Sequence, residues 1–479
     1  MERSFNVNNI IDCMKLGKRT EAEALISHYL ENKPHIKADW LKVSALSLRI
    51  GEVDMAKQAA ELFHKSSPQG IDTDLHYAGL YAEAGDLGKA LAIIEPYINS
   101  GLKHPAVFHM AGTMYAQLGR IDEAKRALIF ALDLAPHLGI SWFTLASIIN
   151  FKQHANLLRN LQLAYQNLNT DDKRNEQQFL YALGKAYDDV GDYEQAWQYY
   201  AKGANIMAEL ANYSSDIDAN EVDAIIGNFS LDKQKNLPYS RSSYHRSIAI
   251  LGLPRSGTTL LGQMLSCHSS VAGAGEFNGI GVACMHLQGD NFLDFPAYIA
   301  KHGHPVGAID HIAAVYQKVA DQQFKADGYI IDKTLNLNRY FGIWAQAFPD
   351  SKAIYIRRND NDTAWSCFKT NFRSKAAWSW SAKSVFGYIS SERRLLEHWK
   401  MLFSKRILEV NYEDLVAKPE ATLTKICAHL GINYESTMLN FYNSRSPVFT
   451  SSLGQVHQPL QQNRPDLGGR YPKFFAELN

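Results

Sequence analysis

At 479 residues with 46% hydrophobic side chains, the chain is too long for one ordinary domain and has enough apolar content to bury two or three cores. Lys+Arg and Asp+Glu balance at 49 each, and no basic block marks a nucleic-acid surface; residues 1–220 carry 21 Lys+Arg against 27 Asp+Glu and residues 221–479 carry 28 against 22, the sign expected if the back half holds a small polyanion. Five scattered cysteines (Cys13, Cys267, Cys284, Cys367, Cys427) without Cys-x-x-Cys argue against a disulfide framework or zinc knuckle, and no apolar run approaches the roughly 18 residues of a membrane span, so a cytoplasmic protein is expected.

In chain order, the first signal is a period. Gly17, Gly51, Gly85 and Gly119 recur at 34 residues, each followed five positions later by Ala22, Ala56, Ala90 or Ala124. Pro34, Pro68 and Pro136 share one position of the frame, with Leu102 the exception. Glycine between helices supplies a turn, a small alanine lets the second helix approach the first, and proline ends it. The unit resembles the tetratricopeptide repeat, which implies an α-solenoid over residues 1–210 and a surface open to a protein or peptide partner. Beyond Pro136 the frame slips. Residues 142–170 read as a degenerate fifth repeat, and Tyr187, Gly191, Asp192, Tyr193 and Ala196 restore the pattern 72 residues after Gly119.

Residues 211–244 are polar and read as a linker. Ser247–Leu251 then reads as a buried strand entering Gly252-Leu253-Pro254-Arg255-Ser256-Gly257-Thr258-Thr259 and a helix from Leu260. Strand, glycine turn and helix form a phosphate cradle, where helix N-terminal amides and hydroxyls face an anion. A P-loop kinase carries Lys where this chain has Thr258; the cation stands three residues earlier, at Arg255. Residues 251–260 resemble the 5′-phosphosulfate loop of sulfotransferases that use 3′-phosphoadenosine 5′-phosphosulfate (PAPS), particularly the tyrosylprotein sulfotransferases and their repeat-bearing bacterial relatives.

That resemblance extends over about residues 245–475 and implies roles for further positions. Arg255, Ser256, Gly257, Thr258 and Thr259 would hold the 5′-phosphosulfate, while Arg358, closing the strand Ala353–Arg358, and Ser366, eight residues on, would hold the 3′-phosphate. The relatives carry an arginine four residues after that serine; here the position is Thr370, flanked by Lys369 with Arg373 nearby. Glu276, in Gly275-Glu276-Phe277, matches the general base, and Lys333, after the strand Tyr329–Asp332, matches a lysine that stabilises the departing group together with Arg255. Tyr412 corresponds to a residue beside the adenine. Ser451 and Gln455 fall in a segment similar to the one that closes over PAPS, and Arg470-Tyr471 stands where the family has a basic-aromatic pair. His302-Gly303-His304 lies in a Gly/Pro loop without carboxylate or cysteine company and reads as solvated loop, and no metal is called for.

The resulting expectation is an α-solenoid (1–210), a linker (211–244) and a three-layer α/β sulfotransferase domain with a mainly parallel sheet (245–479). The domain would move a sulfuryl group from PAPS to a hydroxyl on a protein tyrosine, a glycan or a small molecule. Arginines two and six residues after the base in tyrosylprotein enzymes are Asn278 and Val282 here, which leaves the acceptor open. Two other readings stand beside it: a P-loop kinase using ATP and Mg²⁺, with Asp332 on the metal, and a non-catalytic repeat scaffold.

Overall fold

The computed structural model describes residues 5–211, 213–234, 239–285, 305–372, 376–443, 458–460 and 467–477. The expected repeat helices form as antiparallel pairs, beginning with Asn8–Lys15 and Arg19–Asn32 and continuing through Asp39–Arg49 with Val53–Ser66 and Ile71–Glu83 with Leu87–Asn99. Further pairs are Pro105–Gln117 with Ile121–Leu134 and Lys173–Val190 with Tyr193–Leu210, while Gly139–Ile148 and Ala155–Gln166 each pack on Lys173–Val190. Each periodic glycine between paired helices sits in the left-handed region that an L side chain resists, from φ +70° at Gly17 to +86° at Gly191. Ala22, Ala56, Ala90, Ala124 and Ala196 are all buried, as close helix approach requires. Where Leu102 replaces the frame's proline, Gly101 at φ +77° follows the helix end instead.

The frame slip has a local cause. A 3₁₀ turn, Phe151–Gln153, is inserted after Gly139–Ile148; it buries Phe151, whose amide donates to Asp189 Oδ2 at 3.0 Å. The helices Lys173–Val190 and Tyr193–Leu210 are 18 residues each, against 11 to 14 in the second to fourth pairs, which adds to the spacing. Within the stretch expected as a linker, Ser215–Asn228 is helical.

Five parallel strands follow: β1 (Ser247–Leu251), β2 (Val271–Gly275), β3 (Tyr329–Asp332), β4 (Ala353–Arg357) and β5 (Ile407–Asn411), in the order β2-β3-β1-β4-β5. β1 is central and buried throughout, which explains its unbroken apolar sequence. Strand order reverses at β1.

Contacts group the chain into two units that interleave in sequence. The first comprises residues 1–102, 223–249 and 269–352. In it the helix Pro305–Gln323 packs on the early repeats, and β2 and β3 run side by side.

The second unit comprises residues 103–222, 250–268 and 353–479. Here the last repeat pair grips the helix Asp360–Phe368 and the C-terminal segment. Trp365 stacks on Tyr471 with ring centroids 3.7 Å apart, Trp197 stacks on Phe368, and Tyr181 Oη donates to the Phe368 carbonyl at 3.2 Å. Asp188 accepts from Lys369 Nζ at 3.2 Å and from the Tyr471 hydroxyl. Burial alone would raise the Asp188 carboxyl, but the Lys369 charge and the Tyr471 donor outweigh it and hold the group below its ordinary range. A folded-state value below the unfolded one means stability present above about pH 3.9 and lost as pH falls through the lower folded value. Asp188→Asn is therefore expected to cost about 1–3 kcal/mol near neutrality, and denaturant titrations of both proteins should converge as the pH is lowered below 4.

Candidate active site

The loop after β1 is shaped by close backbone approach. A Cβ on Gly252 would lie 2.8 Å from Ser256 Oγ and 2.9 Å from the Ile356 carbonyl, and one on Gly257 (φ +107°) would lie 2.4 Å from Tyr412 Cδ2. Ser256 is fully buried and closes the turn itself, its amide and hydroxyl both donating to the Leu253 carbonyl at 3.1 and 2.7 Å. Arg255 adopts φ +66°, a left-handed conformation that costs on the order of 1 kcal/mol for a non-glycine residue. Thr258 and Thr259 open the helix Thr258–Ser266, whose first amides lack intrahelical acceptors and carry the positive end of its dipole.

Two arginines and a serine meet beside this loop. Arg255 Nε donates to Ser366 Oγ at 3.1 Å, and Arg358 Nη1 donates to the Arg255 carbonyl at 3.0 Å. Burial draws the Arg255 guanidinium downward from its ordinary pKa, and the like charge of Arg358 acts in the same direction. The Arg358 guanidinium lies 4.8 Å from the Tyr412 ring centroid and 3.9 Å from Asp362. Its Nε is buried without a hydrogen-bond partner among the described residues. A buried donor left unmade is costly unless something accepts from it. Arg357, by contrast, is half exposed and lies 3.6 Å from Glu409, so of the arginine pair only Arg358 faces the loop.

Sequence alone did not reveal what holds Arg358. Arg393, from the helix Ala382–Leu402, donates from Nη2 to the Arg358 carbonyl at 2.7 Å and from Nε to Asp360 Oδ1 at 3.0 Å. A polar cavity of about 400 Å³ adjoins this strand end, lined by Arg357, Arg358, Asn359, Asp360, Asn361, Asn411 and Glu413. Thr370, in the place of the relatives' arginine, donates its hydroxyl to the Ser366 carbonyl at 2.7 Å. Lys369 is paired with Asp188.

In the other unit, strand register assembles a second pair. Gly275 of β2 is level with Asp332 of β3, so Glu276 and Lys333 leave the sheet together. Lys333 Nζ donates to Glu276 Oε1 at 3.2 Å, and the Lys333 amide donates to the Gly275 carbonyl at 3.0 Å. The Lys333 side chain is 8% exposed and that of Glu276 35%, leaving the carboxylate the accessible member.

Asp332 is fully buried, and burial pushes its carboxyl above the ordinary range. Its oxygens accept from the Tyr316 hydroxyl at 2.9 Å and the Thr334 amide at 2.9 Å. That makes it a structural anchor and not the accessible metal ligand a kinase would place here.

The remaining candidates divide. The guanidinium of Arg470 stacks over Tyr193 at 4.8 Å. Ser451, Gln455, Arg373, His302 and His304 lie outside the described residues.

Against known proteins, residues 247–436 match the sulfotransferase family, and residues 105–138 and 177–206 match the tetratricopeptide repeat. The chain carries a sulfotransferase-family domain and tetratricopeptide repeats. An Aquifex aeolicus protein of uncharacterised function is 27% identical over 311 residues, covering 62% of this chain but 40% of its own length. A provisionally named protein-tyrosine sulfotransferase of Caenorhabditis briggsae is 25% identical over 42% of this chain and 71% of its own length. The solved sulfotransferase domain of the Synechococcus PCC 7002 olefin synthase is 22% identical, covering 50% of this chain and 98% of that domain, with a TM-score of 0.31. The matched segment begins at β1 and includes both Arg358 and Lys333. Among the described residues, no helix is long and apolar enough to cross a membrane.

Proposed function

We propose that the chain is a PAPS-dependent sulfotransferase acting on an acceptor hydroxyl. The observation that carries this reading is the buried, unpartnered Arg358 Nε beside the Arg255–Ser366 hydrogen bond. Arg358 and Ser366 fit a terminal 3′-phosphate, because a guanidinium fork and a hydroxyl together suit a dianion. The helix start at Thr258 and Thr259, the backbone of Ser256 and Gly257, and Arg255 fit the 5′ end of the same nucleotide. Tyr412, already in contact with Arg358, is the flat surface available to the base. Ser451, Gln455 and Arg470 belong to this reading as residues that would close over the nucleotide.

The donor supplies a sulfuryl group joined through oxygen to the 5′-phosphate. Glu276 takes the proton of the acceptor hydroxyl while that oxygen bonds to sulfur and the sulfur–oxygen bond to the phosphate breaks. Lys333 and Arg255 meet the charge that develops on the departing phosphate oxygen, leaving adenosine 3′,5′-bisphosphate. Lys333 also orients Glu276, its Nζ donating to Oε1 at 3.2 Å. The acceptor is a hydroxyl on a protein tyrosine, a glycan or a small molecule, and the repeats are a further surface for a protein or peptide. None of the five cysteines, all described, forms a disulfide, which suits a cytoplasmic setting.

Thermal unfolding tests the donor directly. In EDTA, adenosine 3′,5′-bisphosphate at a hundred times its Kd should stabilise the protein by about 2.7 kcal/mol. Stabilisation by Mg-ATP alone would replace this reading with a kinase.

A further inference from the structure

The glycine turns that betray the repeats also touch the helix Pro305–Gln323. A Cβ on Gly51 would lie 2.6 Å from Val319 Cγ2, and one on Gly85 would lie 3.1 Å from Gln323 Nε2, so successive repeat turns meet side chains one helical turn apart. Polar contacts fix the same face. Glu52, buried within the repeats, receives Arg19 Nη2 at 2.5 Å, Lys318 Nζ at 2.7 Å and Gln322 Nε2 at 3.0 Å. Lys318 also reaches Glu23 at 2.7 Å, and Lys325 reaches Asp54 at 3.1 Å.

Another face of this helix is wholly buried through Ile309, Ile312, Ala313, Tyr316 and Ala320, at the three- and four-residue spacing of a helical stripe. Tyr316 is the one polar group in that stripe. Its hydroxyl bonds Ser247 Oγ at 2.5 Å and donates to Asp332 Oδ2 at 2.9 Å. Asp332 in turn accepts the Thr334 amide, and Thr334 Oγ1 accepts the Asn278 amide at 3.0 Å. Lys333 lies between Asp332 and Thr334, and Glu276 lies two residues before Asn278. Both members of the Glu276–Lys333 pair are therefore bracketed by one network that starts at Tyr316.

We infer that Tyr316 and the Lys318–Glu52 latch are positioning elements for Glu276 and Lys333, making the first repeats a working part of the catalytic half they pack against. The inference rests on the proposed roles of that pair. Hydrogen exchange on the full-length protein tests the positioning, and turnover of PAPS with 4-nitrophenol as probe acceptor tests its consequence.

In Tyr316→Phe and Lys318→Met, protection of the Lys333, Thr334 and Asn278 amides should fall at least tenfold. Lys318→Arg should restore it, and the Ile330 amide, which donates to the Arg246 carbonyl, should keep its native protection. kcat should fall at least tenfold in Tyr316→Phe, with the KM for PAPS within twofold of native. Native protection at the three amides, or an equal loss at Ile330, would overturn the positioning. Glu276→Gln with native turnover would instead overturn the base assignment, a separate failure that leaves the exchange result to decide the latch.

Discussion

Replacing Glu276 by Gln is expected to lower turnover about 10²–10⁴-fold, the range a positioned general base supplies, while adenosine 3′,5′-bisphosphate binds as in the native protein. The substitution keeps the side chain's shape and an oxygen that can still accept from Lys333, so the 3.2 Å contact and the β2–β3 register have no reason to change. What disappears is the basic carboxylate. Single-turnover measurements with PAPS, paired with calorimetric titration of the bisphosphate, separate the two effects. Loss of nucleotide binding together with turnover would mean that Glu276 supports the nucleotide site.

Arg358→Lys should have the opposite signature. Lysine preserves the charge but not the planar fork, and the buried Nε that now lacks a partner is the atom the fork would bring to a phosphate. The loss of Nη1 would also release the Arg255 carbonyl, held at 3.0 Å, and with it a backbone conformation (φ +66°) that needs external support. Hydrogen bonds to charged groups contribute about 1.5–3 kcal/mol each, so the bisphosphate should bind about ten- to a hundredfold more weakly. Calorimetric titration checks this. Unchanged affinity in Arg358→Lys would remove Arg358 from the nucleotide site.

What was legible in the sequence is what each local stretch must do by itself. A turn between helices needs a residue at positive φ every 34 positions, so Gly17, Gly51, Gly85 and Gly119 announce the repeats. The loop after β1 needs glycines where Ser256 and Tyr412 press against the backbone, so Gly252 and Gly257 announce it too. Arg358 and Ser366 were picked out by the family resemblance, through their eight-residue spacing across a strand end and the helix after it.

Strand register was not legible. Nothing in the spacing of Glu276 and Lys333, 57 residues apart, states that β2 lies beside β3 with Gly275 level with Asp332. Nor did Lys318 and Gln322 stand out, because a polar helix face that meets a buried glutamate reads like one that meets water. Tyr316 was hidden for the converse reason: in an apolar stripe its ring looks like core, and only its partners reveal the hydroxyl's role. Arg393 carries no motif, since its work is to hold the backbone of Arg358 from a distant helix.

The central claim is most directly tested by following the label from sulfur-35 PAPS in EDTA, with the native protein, Glu276→Gln, and fractionated small-molecule, glycan and protein acceptors. The account predicts that label leaves the donor and becomes covalently attached in one acceptor fraction, with adenosine 3′,5′-bisphosphate formed in equal amount, and that Glu276→Gln slows the transfer about 10²–10⁴-fold. Label retained on PAPS across all fractions, alongside transfer of the γ-phosphate from Mg-ATP, would contradict it.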